Sequence, residues 1–477
     1  MAEDAQPRIA WFTPLRPVES GISHYNEELL PVLATAWQID VFVDGYSPTH
    51  LRSTDTLQVH AARVFHRRHH RRPYDAVVYQ MGNSRAHAYM YPTVLEVPGL
   101  LVLHDTMLHH LILSMMLTGS RRGYRRLMER HYGEAGLTAA ERVLRGQLPK
   151  SLFDLPLSED AVEASWAVAV HSDHARANVL RHNPNARIEQ IPMGIPVPQR
   201  IARERARRLL GLPEREFLIA SVTHVNPYKR LDVVLRVLAR LRSDVPARLV
   251  IAGSVAPLVP LGRYVSALGL ESAVERLDFV DDLTARLVVA ASDVCVNLRF
   301  PTAGETSASL LRLMGGGRPV LVTGAGSFDE LPDGAVIKIP PDVLEEETIF
   351  ATLRRLASDP ALGERIGAEA RQFVLREHSL AAMAEGYHGA LERVAGRILP
   401  RPEVGELIES LTLPDAPTRS TPDPLTTAIA DALVELGLGG DVTLLDEAAR
   451  AAVELGLGVG KMGRTADVEL TSGGRGA

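Results

Sequence analysis

The stretch FLIASVTHVNPYKRLDVVLRVLARLRSDVPARLVIAG, Phe217–Gly253, decides how the chain is read. Phe217–Val225 is predominantly apolar, Lys229–Arg242 repeats apolar residues at helical spacing, and Arg248–Gly253 is apolar again. Two buried parallel strands joined by a helix lying on the sheet account for that order. Downstream, Leu277–Val280, Val294–Arg299, Pro319–Thr323 and Ala335–Ile339 read as further strands. Helices fall at Thr284–Ala291, Thr306–Met314, Leu344–Ala357, Ala361–Glu377 and Leu380–Ile398.

Upstream of a Pro-rich joint, IPMGIPVPQ (Ile191–Gln199), the same alternation runs once more. Its strands are Arg8–Pro14, Gln38–Asp44, Ala76–Gly82, Gly99–Asp105, Trp166–Ser172 and Ile188–Met193. Its helices are Ser23–Leu33, Arg122–Gln147 and Asp173–Leu180, the last with Ser172 as a natural N-cap. The fold class is therefore α/β, with two doubly wound Rossmann-like domains, 1–197 and 198–379. In such sheets ligands bind beyond the carboxyl ends of the strands, so function belongs to the loops there. A Pro-rich linker, 399–424, leads to a short C-terminal appendage, 425–477, in which VELGLG occurs at Val434–Gly439 and Val453–Gly458. Each copy follows an Ala-rich stretch and ends in Gly, which reads as a small helical pair or a partly disordered tail.

Composition narrows the class. The 477 residues are 46% hydrophobic and 23% charged, enough aliphatic residues to bury a large core. The single cysteine, Cys295, leaves no disulfide framework and no Cys-based zinc cluster. The net charge of −6 belongs to the tail: residues 401–477 carry 6 Lys+Arg against 13 Asp+Glu, while 1–400 carry 46 against 45. A nearly neutral body argues against a nucleic-acid binder. The start MAEDAQPR is acidic where a secretory signal is basic and then apolar, and no run of about 18 apolar residues occurs, so the expected location is cytoplasmic. Lysine is scarce, four against 48 arginines, so a lysine in a loop motif draws notice.

Four loops carry chemistry. In THVNPYKR (Thr223–Arg230), Lys229 and Arg230 open the helix after a buried strand, where cations oppose the helix dipole unless an anion sits nearby. A diphosphate supplies that anion; a solvated basic turn is the plainer alternative. In RFPTAGETSASLLRLMGGGRPVLV (Arg299–Val322), Thr306 and Ser307 start a helix whose free N–H groups suit a phosphate. Glu305 stands beside them to accept from sugar hydroxyls, or serves only to cap the helix. In PLRPVESGISHY (Pro14–Tyr25), Gly21 permits close approach of backbone to a ligand before the helix. His104, at the end of the Gly99–Asp105 strand, can hydrogen-bond a sugar or move a proton, or be a satisfied structural histidine.

Taken in order with SGI (Ser20–Ile22), YQMGN (Tyr79–Asn83), PGLLVLHD (Pro98–Asp105), VHS (Val170–Ser172), IPMGI (Ile191–Ile195) and GSFDELPDG (Gly326–Gly334), these loops resemble the GT-B glycosyltransferases of family 4, from about Arg8 to Ile398. The resemblance implies a retaining hexosyltransferase using a nucleotide diphosphate sugar, with the acceptor on the N-terminal domain and the donor on the C-terminal one. It implies that helix 380–398 crosses back to the N-domain. It assigns Lys229 to the donor diphosphate, Glu305 with Thr306 and Ser307 to the donor sugar and phosphate, Gly21 to the phosphates and His104 to the transferred sugar. The catalytic set is then His104, Lys229 and Glu305.

The chain departs from the family in two places. His224 stands where the family commonly has Arg, five residues before the lysine, and a neutral imidazole stabilises a leaving group less than a guanidinium does. Gly304 and Arg312 stand where two glutamates are common; Glu305 survives one place away, and Arg312, seven residues on, is expected on the same helical face, pairing with Glu305 or approaching a phosphate. No D-x-D spacing occurs, so the expectation is no metal and no cofactor beyond the nucleotide-sugar co-substrate.

Other signals are weaker. GLGVGKM (Gly456–Met462) lacks the spacing and the Ser/Thr of a phosphate loop. HRRHHRR (His66–Arg72) reads as a solvated basic loop, and with SRRGYRR (Ser120–Arg126) gives the acceptor domain a basic face suited to anionic lipid. Expected partners are the nucleotide-sugar donor and a carbohydrate, lipid or small-molecule acceptor, with peripheral membrane contact and no nucleic acid. The alternative is a catalytically degenerate GT-B protein acting as a binding or scaffolding module.

Overall fold

The computed structural model describes residues 6–396 apart from 19, 120, 146, 148–153, 198, 257–258, 279 and 302–304. The 399–424 linker, the 425–477 appendage and the Gly456–Met462 segment lie outside the described residues.

The N-terminal sheet holds β1 (Arg8–Phe12), β2 (Gln38–Val43), β3 (Leu57–Ala61), β4 (Ala76–Met81), β5 (Leu100–Leu103), β6 (Ala167–Val170) and β7 (Ile188–Gln190). The C-terminal sheet holds β8 (Phe217–Val222), β9 (Ala247–Ala252), β10 (Val274–Leu277), β11 (Val294–Asn297), β12 (Val320–Thr323) and β13 (Ile337–Ile339). Their orders are β3-β2-β1-β4-β5-β6-β7 and β10-β9-β8-β11-β12-β13, and the pairings are parallel. Each sheet therefore has one point where the winding reverses, between β1 and β4 and between β8 and β11. The crevice that binds ligands in such folds opens there. The β8 loop is Thr223–Arg230 and the β11 loop begins at Leu298, so two of the four candidate loops flank one switch point.

Three apolar clusters pack the chain. One covers the outer face of the N-terminal sheet, around Phe12, Phe42 and Tyr79. A second covers one face of the C-terminal sheet, around Val234, Leu238 and Ile251. The third is continuous across both domains and joins Trp11 and Leu29 to Met314 and Val322 through Met383 and Tyr387. Those last two lie on the Leu380–Ala395 helix, which follows the C-terminal domain in sequence but packs on N-terminal residues: the Tyr387 ring lies 5.2 Å from that of Trp11. The chain passes the joint twice, side by side. The Ile195 amide donates to the His378 carbonyl at 2.9 Å, and Gly194 has no room for a Cβ, which would fall 2.5 Å from the Ser379 carbonyl oxygen.

Several boundaries differ from the sequence reading. Residues His66–Arg72 do not form a loop: Phe65–Arg71 is a helix, anchored by the buried Phe65 ring and by Arg68, which turns inward to Asp40. Gly21 is the first residue of the Gly21–Leu33 helix rather than a loop residue, because Ser20 caps it and accepts from the Ser23 amide at 3.0 Å. The sequence reading placed the β10 strand over Leu277–Val280; pairing with β9 sets it at Val274–Leu277 instead.

Candidate active site

The cation that the sequence singled out does not start a helix. Pro227–Lys229 is a single 3-10 turn, and Arg230 adopts a left-handed conformation (φ 56°) before the helix Leu231–Leu241. The Arg230 guanidinium is taken away from the crevice by Glu345. Lys229 remains, with its ammonium 5.4 Å from the centre of the Tyr228 ring. Burial, and then the nearby Arg299 guanidinium, push its pKa well below the usual lysine range. Two cations thus crowd one another, and among the described residues no carboxylate is ion-paired with Lys229.

His224 lies on the same loop. Its Nδ1 meets Ser254 Oγ at 2.7 Å, and its Nε2 is buried without a hydrogen-bond partner. Burial, reinforced by the positive Lys229, pushes the imidazole down to about 4, so His224 is neutral near pH 7. Gly253 makes this contact possible. Its φ of +138° is a glycine conformation, and a Cβ there would lie 2.1 Å from the Thr223 carbonyl oxygen.

The β11 loop is fastened to the β8 loop. The Phe300 amide donates to the Tyr228 carbonyl at 2.9 Å, and the Arg299 amide donates to Thr323 Oγ1 at 2.8 Å. The Arg299 side chain lies 5.8 Å from the Tyr228 ring centre and is ion-paired with Glu305. Glu305 in turn receives the Ser327 hydroxyl on its carbonyl at 2.7 Å. Lys229 and the Glu305–Ser307 segment thus share Arg299 as a common neighbour. The helix begins at Ala308, later than the Thr306 start read from sequence, because Ser307 is its N-cap and accepts from the Leu310 amide at 3.3 Å.

Arg312 corrects a second expectation. Glu305 precedes the helix, so a seven-residue spacing does not put the two on one face. Arg312 instead crosses to the N-terminal domain and donates to Glu28 Oε1 at 2.6 Å. A second interdomain contact flanks the crevice: the Glu330 carboxylate accepts from the Asp173 amide at 3.0 Å and from the His174 amide, at the start of the Asp173–His182 helix. An anion on a helix N-terminus is favourably placed.

On the N-terminal side, His104 follows β5. Its Nε2 lies 2.7 Å from Gln80 Oε1, its Nδ1 lies 3.3 Å from His171 Nε2, and its ring meets Tyr25 edge-on at 4.8 Å. Burial, with His171 nearby, drives its pKa well below the histidine range. Asp105 accepts from the Asn83 amide at 3.0 Å. Burial raises its pKa, opposed by the Asn83 bond and by the Arg299 guanidinium across the crevice. Gly21 is exposed, and nothing lies within 4 Å of the place a Cβ would take. Thr306 is half-buried in the β11 loop. Among the described residues no group of three His, Cys, Asp or Glu could hold a metal ion, and no helix is long and apolar enough to cross a membrane.

Sequence reasoning overlooked Arg299, Asp105, Gln80, His171, Glu28 and Glu330. Arg299 and Asp105 carried a usable signal, since both end strands at a sheet's carboxyl edge. The others act through partners distant in sequence.

Residues 202–373 match the family model described as Glycosyl transferases group 1. A curated relative, the MMP alpha-(1->4)-mannosyltransferase of Mycolicibacterium hassiacum, is 26% identical over 190 residues, which is 39% of this chain. The match spans 44% of that relative, less than half its length. Among solved structures, a sucrose-phosphate synthase from Thermosynechococcus elongatus aligns with a TM-score of 0.60 at 16% identity, over 81% of this chain and 98% of its own. HepE of Anabaena, in complex with UDP and glucose, aligns with a TM-score of 0.57 at 14% identity, over 81% of this chain and 100% of its own. Residues 202–373 are thus similar to the Glycosyl transferases group 1 family, in a chain with the GT-B fold of those solved structures.

Proposed function

We propose that the protein transfers a hexose from a nucleoside diphosphate sugar to a carbohydrate, lipid or small-molecule acceptor, with retention of anomeric configuration and without a metal. The observation that carries the reading is the Lys229–Arg299 pair at the β8/β11 switch point, beside the helix start capped by Ser307. The mannosyltransferase among the relatives and the UDP and glucose held by HepE agree with it.

In this reading Lys229 meets the diphosphate, and the N–H groups that open the helix at Ala308 complete the anion site; such preorganised charge stabilises a developing phosphate anion without a metal. His224, neutral, contributes hydrogen bonding rather than charge. Glu305 releases part of its hold on Arg299 to accept from sugar hydroxyls, and Arg299 then adds its charge to the phosphate side. The bond from the anomeric carbon to the phosphate oxygen breaks, the bond to the acceptor oxygen forms on the same face, and the acceptor's proton passes to the departing phosphate. The exposed Arg67, Arg71, Arg121 and Arg122 support the reading of a basic acceptor domain drawn to anionic lipid; co-sedimentation with phosphatidylglycerol but not phosphatidylcholine vesicles is the expected result, and equal sedimentation with both contradicts it.

A thermal-shift screen of UDP-, GDP- and ADP-hexoses tests the donor. At 100 times Kd one of them is expected to stabilise the protein by about 2.7 kcal/mol, with no effect of EDTA. The neutral His224 in place of a guanidinium favours one second reading, a degenerate module. That module would bind the nucleotide sugar and leave it intact.

A further inference from the structure

The His104 side chain, which the resemblance assigns to the transferred sugar, stands in the middle of an unbroken chain of polar groups. It runs from the Tyr25 hydroxyl to the Tyr387 hydroxyl (2.8 Å), to Gln80 (2.9 Å), to His104 (2.7 Å), to His171 (3.3 Å) and to the Ile191 carbonyl (2.9 Å). Tyr25, Gln80, His171 and Tyr387 are all buried. Four of these groups belong to the N-terminal domain proper, Ile191 to the joint, and Tyr387 to the helix returning from the C-terminal domain.

Hydrogen counting fixes what the chain can be. With Gln80 Oε1 facing His104, as placed, the run Gln80–His104–His171–Ile191 has a carbonyl acceptor at both ends. Its three hydrogen bonds then need three N–H groups, and two neutral imidazoles supply only two. A third proton would put a cation in a buried pair of rings with no carboxylate bonded to either, which is costly. Burial holds both rings neutral, with His171 pushed down to about 4 and His104 well below the usual histidine range. The two ends of a glutamine amide are interchangeable in heavy-atom positions, and the network decides between them. Turning Gln80 satisfies every group once. Tyr25 donates to Tyr387, Tyr387 to Gln80 Oε1, the Gln80 NH2 to His104 Nε2, His104 Nδ1–H to His171 Nε2, and His171 Nδ1–H to the Ile191 carbonyl.

We propose that Tyr387 is a positioning residue for His104: its hydroxyl holds the Gln80 amide with the NH2 toward His104 Nε2, which locks the imidazole as the Nδ1–H tautomer. Both ring nitrogens are spent in the relay, so His104 serves the crevice as a fixed neutral ring and not as a proton carrier. The donor of the controlling hydroxyl is the returning helix. Seating of that helix on the N-terminal domain therefore sets a site residue, and the hydroxyl acts across the junction of the two domains.

The test is histidine-selective 15N NMR of the full chain, with the His104 signals identified by their loss in His104→Gln. Wild type is expected to carry the proton on Nδ1 alone. Tyr387→Phe keeps the ring against Trp11 and removes only the hydroxyl; His104 is expected to become a mixture of tautomers or to move to the Nε2–H form. Gln80→Glu, whose ionised carboxylate can only accept, is expected to put a proton on Nε2, which tests the relay even where the Tyr387 variant folds poorly. A wild-type proton on Nε2, or an unchanged Nδ1–H tautomer in both variants, overturns the proposal. The functional arm rests on the transferase reading: Tyr387→Phe is expected to lower kcat several-fold with UDP affinity unchanged, since the nucleotide side lies on the other domain. Failure of UDP to bind wild type would sink the transferase reading and leave the tautomer result standing.

Discussion

The Arg312 guanidinium and the Glu28 carboxylate meet across the interdomain crevice, Nη2 to Oε1, at 2.6 Å. With Glu330 seated on the first amides of the Asp173–His182 helix, two charged contacts of this kind join the domains. A partly exposed ion pair contributes about 0.2–1 kcal/mol, and a carboxylate on a helix N-terminus about 0.3–1 kcal/mol. The Arg312→Ala/Glu330→Gln double variant is therefore expected to change Tm by only about 2–4 °C. Its radius of gyration, measured by small-angle scattering, is expected to rise as the domains part. An unchanged radius would remove these residues from the closing contact.

Nucleotide binding is expected to take up a proton. Lys229 has its pKa depressed in the free protein by burial and by Arg299, and a diphosphate raises it again. A group whose pKa is higher in the complex binds a proton on association between the two values. Affinity is then greatest at lower pH and falls as pH rises through the pKa of the complex. Calorimetry with UDP at one pH in buffers of different ionisation enthalpy checks this. Zero net uptake at every pH below the ordinary lysine range would contradict it.

Glu305 and Arg299 compete with the ligand for each other. Removing the carboxylate in Glu305→Ala frees the guanidinium, and a charge-assisted contact is worth about 1.5–3 kcal/mol. UDP is expected to bind Glu305→Ala as tightly as wild type or more tightly, while the extra affinity of the UDP-hexose over UDP disappears. Titration of both ligands against both proteins measures the difference.

Gly253→Ala should be strongly destabilising. The added methyl would fall 2.1 Å from the Thr223 carbonyl oxygen, at a φ of +138°. Strain of this kind costs of order 1–3 kcal/mol before the clash is counted. Loss of Tm together with weaker UDP binding is expected, since His224 would separate from Ser254; a wild-type melting curve would contradict the close approach.

The strands most legible in sequence are those buried on both faces. RIAWF in β1 and AVVYQM in β4 are buried throughout, so the chain spells them as continuous apolar runs. β3, LQVHA, was missed because it is an edge strand with only Leu57 fully buried, and its alternation is too short to stand out. The basic helix Phe65–Arg71 was hidden for a related reason: one aromatic ring and an ion pair to Asp40, not an apolar stripe, hold it. Of the candidate site, Lys229, His224, Glu305, Thr306 and Ser307 were visible as loop chemistry after strands. Arg312 misled because helical spacing was counted from a residue that is not in the helix. The relay through Gln80 and Tyr387 could not be read at all, since it joins positions 307 residues apart.

Isothermal titration of UDP into wild type and Lys229→Ala tests the anion site most directly. Saturable binding by wild type, insensitive to EDTA and weakened about 10- to 100-fold in the variant, is the expected result, in line with loss of one charge-assisted contact. Equal affinity in the two proteins would contradict the placement of the donor diphosphate on this lysine.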